Sequence, residues 1–146
     1  MKKVSFMILV ALMLSGVVVN AQLSIEKCVC SGKYPDACKN AVDGNNSSIW
    51  NSGDYAPQWI KLTLDVPHSI TKITWINEIT PNGEVSMEFK FYNEDGELIS
   101  TKNKTFDCEN GQTNNATFTD LVKVKVVKVT VTKSPSWVAL REISLF

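Results

Sequence analysis

Strict alternation of apolar and polar residues sets the architecture. Val85, Met87, Phe89 and Phe91 alternate with Ser86, Glu88, Lys90 and Tyr92, and Ile60, Leu62 and Leu64 alternate with Trp59, Lys61 and Thr63. Apolar side chains at every second position line one face of a pleated strand, whereas a helix repeats them every three or four. Residues 70–76 are rich in β-branched side chains and form a further strand. After Tyr92, the run from Asn93 to Gly96 predicts a tight turn, with Gly96 able to take a positive φ, and residues 97–100 should return antiparallel. Between residues 121 and 132 the alternation slips: Val122, Val124 and Val126 share one parity, Val127, Val129 and Val131 the other. One face cannot bury both sets, so either a bulge near Val126 and Val127 or a strand that passes between the two sheets is expected. Lys123, Lys125 and Lys128 then face solvent and guard against edge pairing. Residues 109–116 read as a polar surface loop, and residues 36–42 have room for one short helical turn. No longer helix is expected. Short strands punctuated by Gly, Pro and Asn predict an all-β antiparallel sandwich.

Lys2 and Lys3 precede an apolar run over 6–19, and Val19, Asn20 and Ala21 supply small residues for cleavage before Gln22. Residues 1–21 read as a secretory signal, and the apolar run is short of the roughly 20 residues that span a bilayer. The expected product, residues 22–146, is one secreted domain with no membrane span. With Lys2 and Lys3 removed, 13 basic residues face 15 acidic ones, a net charge of −2. No basic excess supports a nucleic-acid partner.

Cys28, Cys30, Cys38 and Cys108 all fall in the exported part, and four cysteines in such a chain argue for two disulfides. A Cys28–Cys30 bridge is too short to close without strain. That leaves Cys28–Cys38 with Cys30–Cys108, or Cys28–Cys108 with Cys30–Cys38. Zinc is disfavoured, because the chain has one histidine and no knuckle spacing. Glycosylation sequons begin at Asn45, Asn46, Asn103 and Asn115. Asn103 and Asn115 are expected in loops and could carry glycan.

Three segments, in order, resemble one family. They are residues 40–50 (NAVDGNNSSIW), residues 57–65 (PQWIKLTLD) and residues 136–146 (SWVALREISLF). Together they resemble the coagulation factor 5/8 type C, or discoidin-like, domain, over nearly all of the exported chain. The resemblance implies a jelly-roll sandwich of galactose-binding-like fold, similar to carbohydrate-binding modules. It also implies that the early polar turn and the last strand lie side by side.

That juxtaposition suggests a calcium site. Ca2+ takes six to eight oxygens, and a turn holding Asp43, Asn45 and Ser48, made possible by Gly44, can aim several at one point. The resemblance adds Glu142 from the last strand and main-chain oxygens at Asn40 and Leu140. A glycan on Asn45 or Asn46 would compete with this role.

For carbohydrate, sites of this kind lie on loops at one end of the sandwich. Here those loops are residues 50–55, 78–82 and 134–136, and Asn51, Asp54, Tyr55 and Asn77 are the expected contacts. Trp50, Trp59 and Trp137 are read as packing residues, Trp75 as core and His68 as a surface turn residue. Arg141, the only arginine, is as suited to an ion pair as to a ligand.

No catalytic triad, phosphate loop or histidine-rich metal motif occurs, so no enzyme is expected. The function implied is a secreted lectin-like domain that binds glycans, with homo-oligomers as a route to multivalency. The alternative is an adhesion domain of the same fold that binds protein or phospholipid, with Ile79 and Pro81 as its apolar spikes.

Overall fold

The alternating segments become two antiparallel sheets packed face to face. The computed structural model of the chain describes residues 21–32, 34 and 38–146; the expected leader lies outside these, apart from Ala21. The described strands are β1 (Ile25–Cys30), β2 (Trp50–Asn51), β3 (Gln58–His68), β4 (Lys72–Asn77), β5 (Gly83–Tyr92), β6 (Leu98–Cys108), β7 (Thr113–Thr117), β8 (Val124–Lys133) and β9 (Ala139–Leu145). One sheet has the order β1-β3-β8-β5-β6, the other β2-β9-β4-β7. A short 3-10 helix, Cys38–Ala41, is the only helix among the described residues, and no described helix is long and apolar enough to cross a membrane.

The core lies where the two inner faces meet. Ile60, Leu62 and Leu64 of β3, and Val85, Met87, Phe89 and Phe91 of β5, are all buried. Ile73 and Trp75 of β4 and Leu140, Ile143 and Leu145 of β9 close it from the other sheet. Phe118 meets Phe89 and Phe91 edge-on at centroid distances of 5.4 and 5.1 Å, a favoured arrangement for aromatic pairs. The Asn93–Gly96 turn forms, with Gly96 at φ 81°.

The slip in β8 also appears, displaced slightly from its expected position. Val126 pairs with Thr63 but Val124 pairs with His68, so β3 carries extra residues at that point. The buried parity changes there, from Val124 to Val127, Val129 and Val131. The lysines of β8 do not guard an edge, because β8 is the middle strand of its sheet. Lys125 turns back to donate to the Asp65 carbonyl at 2.8 Å.

Other expectations are corrected. The return strand β6 runs eleven residues to Cys108 rather than stopping near Ser100. Residues 113–117 form β7, so only 109–112 remain a turn, and Asn103 and Asn115 sit exposed on strands rather than in loops. Both strands are sheet edges with little buried surface, so they lack the alternation that reveals a strand. His68 ends β3 and contacts Asp65 at 3.2 Å instead of lying in a turn.

Cys28 and Cys38 are joined, while Cys30 and Cys108 are unpaired. Neither expected second bridge forms. β1 and β6 are opposite edges of the five-stranded sheet; at about 4.8 Å per strand, the sheet's width alone keeps Cys30 and Cys108 at least roughly 19 Å apart, far beyond disulfide reach.

Candidate functional site: a polar turn and a loop cleft

β9 is sandwiched between β2 and β4, and the turn of residues 42–49 packs beside it. Gly44, at φ 74°, takes a conformation that side chains oppose, and its N–H donates to Glu142 Oε2 at 3.2 Å. The two ends of the chain therefore meet. The turn is crowded with oxygens. The Ser48 hydroxyl lies 2.6 Å from Asp43 Oδ2, 2.8 Å from the Asn45 carbonyl and 3.2 Å from the Asn40 carbonyl. A single hydroxyl proton can serve only one of these acceptors at a time. Asp43 Oδ1 accepts from the Asn45 N–H at 2.9 Å.

Glu142 is 8 % exposed, and its Oε1 has no hydrogen-bond partner. Burial, reinforced by the nearby negative charge of Asp43 and opposed by the Gly44 N–H, pushes its pKa up to about 7. Asp43 moves the other way: the Ser48 hydroxyl holds its carboxyl below the ordinary value. An unpartnered buried carboxylate oxygen is costly, and the Glu142 carboxyl stands beside a turn rich in acceptor oxygens. A hard cation with oxygen ligands fits that donor set. Among the described residues no group of three or more His, Cys, Asp or Glu side chains could hold a metal, so a cation here must draw on hydroxyl and main-chain oxygens as well as the two carboxylates. Leu140 lies on β9 two residues before Glu142 and pairs with Trp50.

Trp50 closes the turn. It is fully buried, and its Nε1 donates to the Gly32 carbonyl at 2.7 Å. The next residue, Asn51, emerges at the end of the sandwich and lines a cleft of about 330 Å3. The three loops singled out in the sequence converge here: Asn51 and Tyr55 come from the first, Glu78, Thr80 and Pro81 from the second, Pro135 and Ser136 from the third, with Trp137 just beyond it. Tyr55 is 57 % exposed and Trp137 44 % exposed. Trp137 meets Tyr34 edge-on at a centroid distance of 6.3 Å. Glu78 Oε2 accepts from Arg141 Nε at 2.6 Å, so Arg141 is an ion partner that orients a carboxylate lining the cleft.

Two of the four expected carbohydrate contacts, Asn51 and Tyr55, reach this cleft; Asp54 and Asn77 do not line it. Asp54 folds back on the main chain, accepting from the Tyr55 N–H at 2.7 Å through Oδ1 and from the Val138 N–H at 3.0 Å through its carbonyl. Asn77 is buried and accepts from Trp75 Nε1 at 2.9 Å and Asn114 Nδ2 at 3.2 Å. Trp137, read from sequence as a packing residue, is an exposed cleft wall. Glu78 and Ser136 were also missed as individual residues, although their loops were named. A tryptophan flanked by Pro135 and Ser136, directly before a buried strand, was the available signal. Ile79 is buried, which removes one of the two apolar spikes that a lipid-binding reading would use.

A family model for the F5/8 type C domain matches residues 24–143. Solved structures share the fold. The CBM32 module of AlyQ in complex with 4,5-unsaturated mannuronic acid has a TM-score of 0.74 at 16 % identity, covering 86 % of this chain and 98 % of that one. A pectin-binding carbohydrate-binding module has a TM-score of 0.70 at 20 % identity, covering 84 % and 91 %. The family 32 module of NanJ from C. perfringens, in complex with galactose, has a TM-score of 0.69 at 18 % identity, covering 86 % and 98 %. No curated protein matches the sequence.

Proposed function

The chain belongs to the F5/8 type C domain family, and from that premise we propose that it is a secreted, non-enzymatic carbohydrate-binding domain whose loop cleft takes a glycan and whose polar turn holds a structural calcium ion. The observation that carries the reading is the cleft itself. Exposed Trp137 and Tyr55 offer aromatic surface to the apolar face of a sugar, and Asn51, Ser136 and Glu78 stand beside them as partners for its hydroxyls. A few placed polar groups within an apolar wall are the usual makeup of a small-ligand site. The modules with the same fold have structures with galactose and with an unsaturated mannuronic acid, and one is described as binding pectin. These support the ligand class. Export is supported by the leader-like start of the sequence and by the Cys28–Cys38 disulfide.

Calcium would be held by Asp43, Ser48 and Glu142, with the carbonyls of Asn40, Asn45 and Leu140. Its charge would offset the repulsion between the two carboxylates. By fixing the turn it would also fix Trp50 and hence Asn51 in the cleft. The ion's role is structural, and sugar contact falls to the loops.

A glycan array probed with the parent protein and with Trp137→Ala tests the function. The parent is expected to retain a discrete set of glycans, competed by the free sugar, and Trp137→Ala to bind them at least tenfold more weakly with its melting temperature unchanged. Retention of no glycan by the parent, or equal binding by the variant, would refute the cleft assignment.

A further inference from the structure

The outer face of the five-stranded sheet carries a second cleft, which shares no lining residue with the first. Register places Lys61 of β3 directly opposite Lys128 of β8, and Lys128 opposite Lys90 of β5. Three lysines thus stand in one row across three adjacent strands, and like charges directly opposite destabilise a sheet. Glu88 relieves Lys90 at 3.1 Å. Among the described residues, no ion pair is made by Lys61 or Lys128. Edge protection does not explain the row, because β3, β8 and β5 are the three interior strands of the sheet.

Next to the row lies a cleft of about 440 Å3 lined by Trp59, Lys61, Tyr92, Gly96, Val126 and Lys128. Lys128 Nζ sits 4.7 Å from the centre of the Trp59 ring, so the indole holds the ammonium in place by a cation–π contact. Tyr92 and Val126 are opposed in the same face and supply an apolar wall. The chain as a whole has no net positive charge, so this is a local concentration of cations and not part of a generally basic surface.

We propose that this cleft binds an acidic saccharide, with a uronate carboxylate between Lys61 and Lys128 and the pyranose ring against Tyr92 and Val126. The carboxylate supplies the charge that the protein omits. The ring fills a wall that offers little hydrogen bonding, and a fixed ammonium loses little freedom on pairing. The row of like charges is then a cost in stability carried for binding.

The test is a calorimetric titration with an oligogalacturonate, a neutral oligogalactose of equal length and a single-stranded oligonucleotide, on the parent, on Lys61→Gln/Lys128→Gln and on Trp137→Ala. The parent should prefer the acidic sugar at least tenfold over the neutral one, and the preference should shrink as salt is raised. The double lysine variant should lose that preference, while Trp137→Ala, altered only in the loop cleft, should keep it. NMR of the parent keeps the outcome separate from any folding effect: amide shifts on adding oligogalacturonate should map to β3, β8 and the end of β5. Shifts confined to the loop end, an equal affinity for the neutral sugar, or a preference for the oligonucleotide would overturn the proposal.

Discussion

A single carboxyl group, Glu142, couples the early turn to the last strand, and its protonation should be visible in stability. Its pKa in the folded protein is about 7, against an ordinary 4.5. Between those values the folded protein keeps a proton that the unfolded chain has released, so stability falls as pH rises through this window. The total loss is on the order of 2–3 kcal/mol. Asp43 acts with the opposite sign: its lowered pKa contributes stability that is present above the unfolded value and lost in acid, below the Glu142 window. Urea midpoints in EDTA should therefore be lower at pH 8 than at pH 5, and calcium should remove the difference. In EDTA, Glu142→Gln should be as stable at pH 8 as at pH 5 and gain nothing from calcium. A midpoint in EDTA that rises from pH 5 to pH 8 would contradict this picture of the turn. The turn was legible in the sequence because its oxygens are close together: Asp43, Gly44, Asn45 and Ser48 are local. Trp137 was not legible. Nothing in its neighbours distinguishes a ring that packs inward from one that lines a cleft, since the choice depends on Tyr34, Tyr55 and Pro81, all more than fifty residues away.

Among the elements, β3 and β5 announced themselves because one face of each is buried and the other is not. The far half of β6, and all of β7, were missed for the converse reason. At a sheet edge most side chains meet water on both faces, and the selective pressure toward alternation disappears. The cysteines teach the same lesson about non-local order. Cys28 and Cys38 are ten residues apart and joined, whereas the placement of Cys30 and Cys108 on opposite edges follows from strand order, which spacing does not encode. The disulfide should stabilise the fold by roughly 2–3 kcal/mol through loop-closure entropy, measured as the shift in denaturation midpoint on reduction. Thiol titration of the unreduced protein in denaturant should count two free groups. In the native protein Cys30, partly exposed, should react first. Cys108 should lag, because it is buried and burial raises its pKa. A count of zero would mean that both pairs close and would contradict the sheet order.

At the scale of the molecule, the sandwich is a rigid frame that brings together pieces distant in the chain. β9 enters the middle of its sheet last in sequence, so the turn, the cleft floor and Arg141 are complete only when the C-terminal strand has docked. The all-β class and the side-by-side turn and last strand could be read from the sequence, because alternation and the three resembling segments span most of the chain. The composition of the cleft could be read only as a choice of loops, because its walls are set by how three separate connections fold over one end. Of the outer-face row, Lys128 was read as a solvated edge guard, and only the strand order shows it in the interior of the sheet. The most direct test is a crystal structure grown with calcium and soaked with the glycan that the array identifies. Sugar density against Trp137 and Tyr55, with an ion between Asp43 and Glu142, is the predicted result. Sugar bound only away from the 50–55, 78–82 and 134–137 loops, with water in place of the ion, would contradict it.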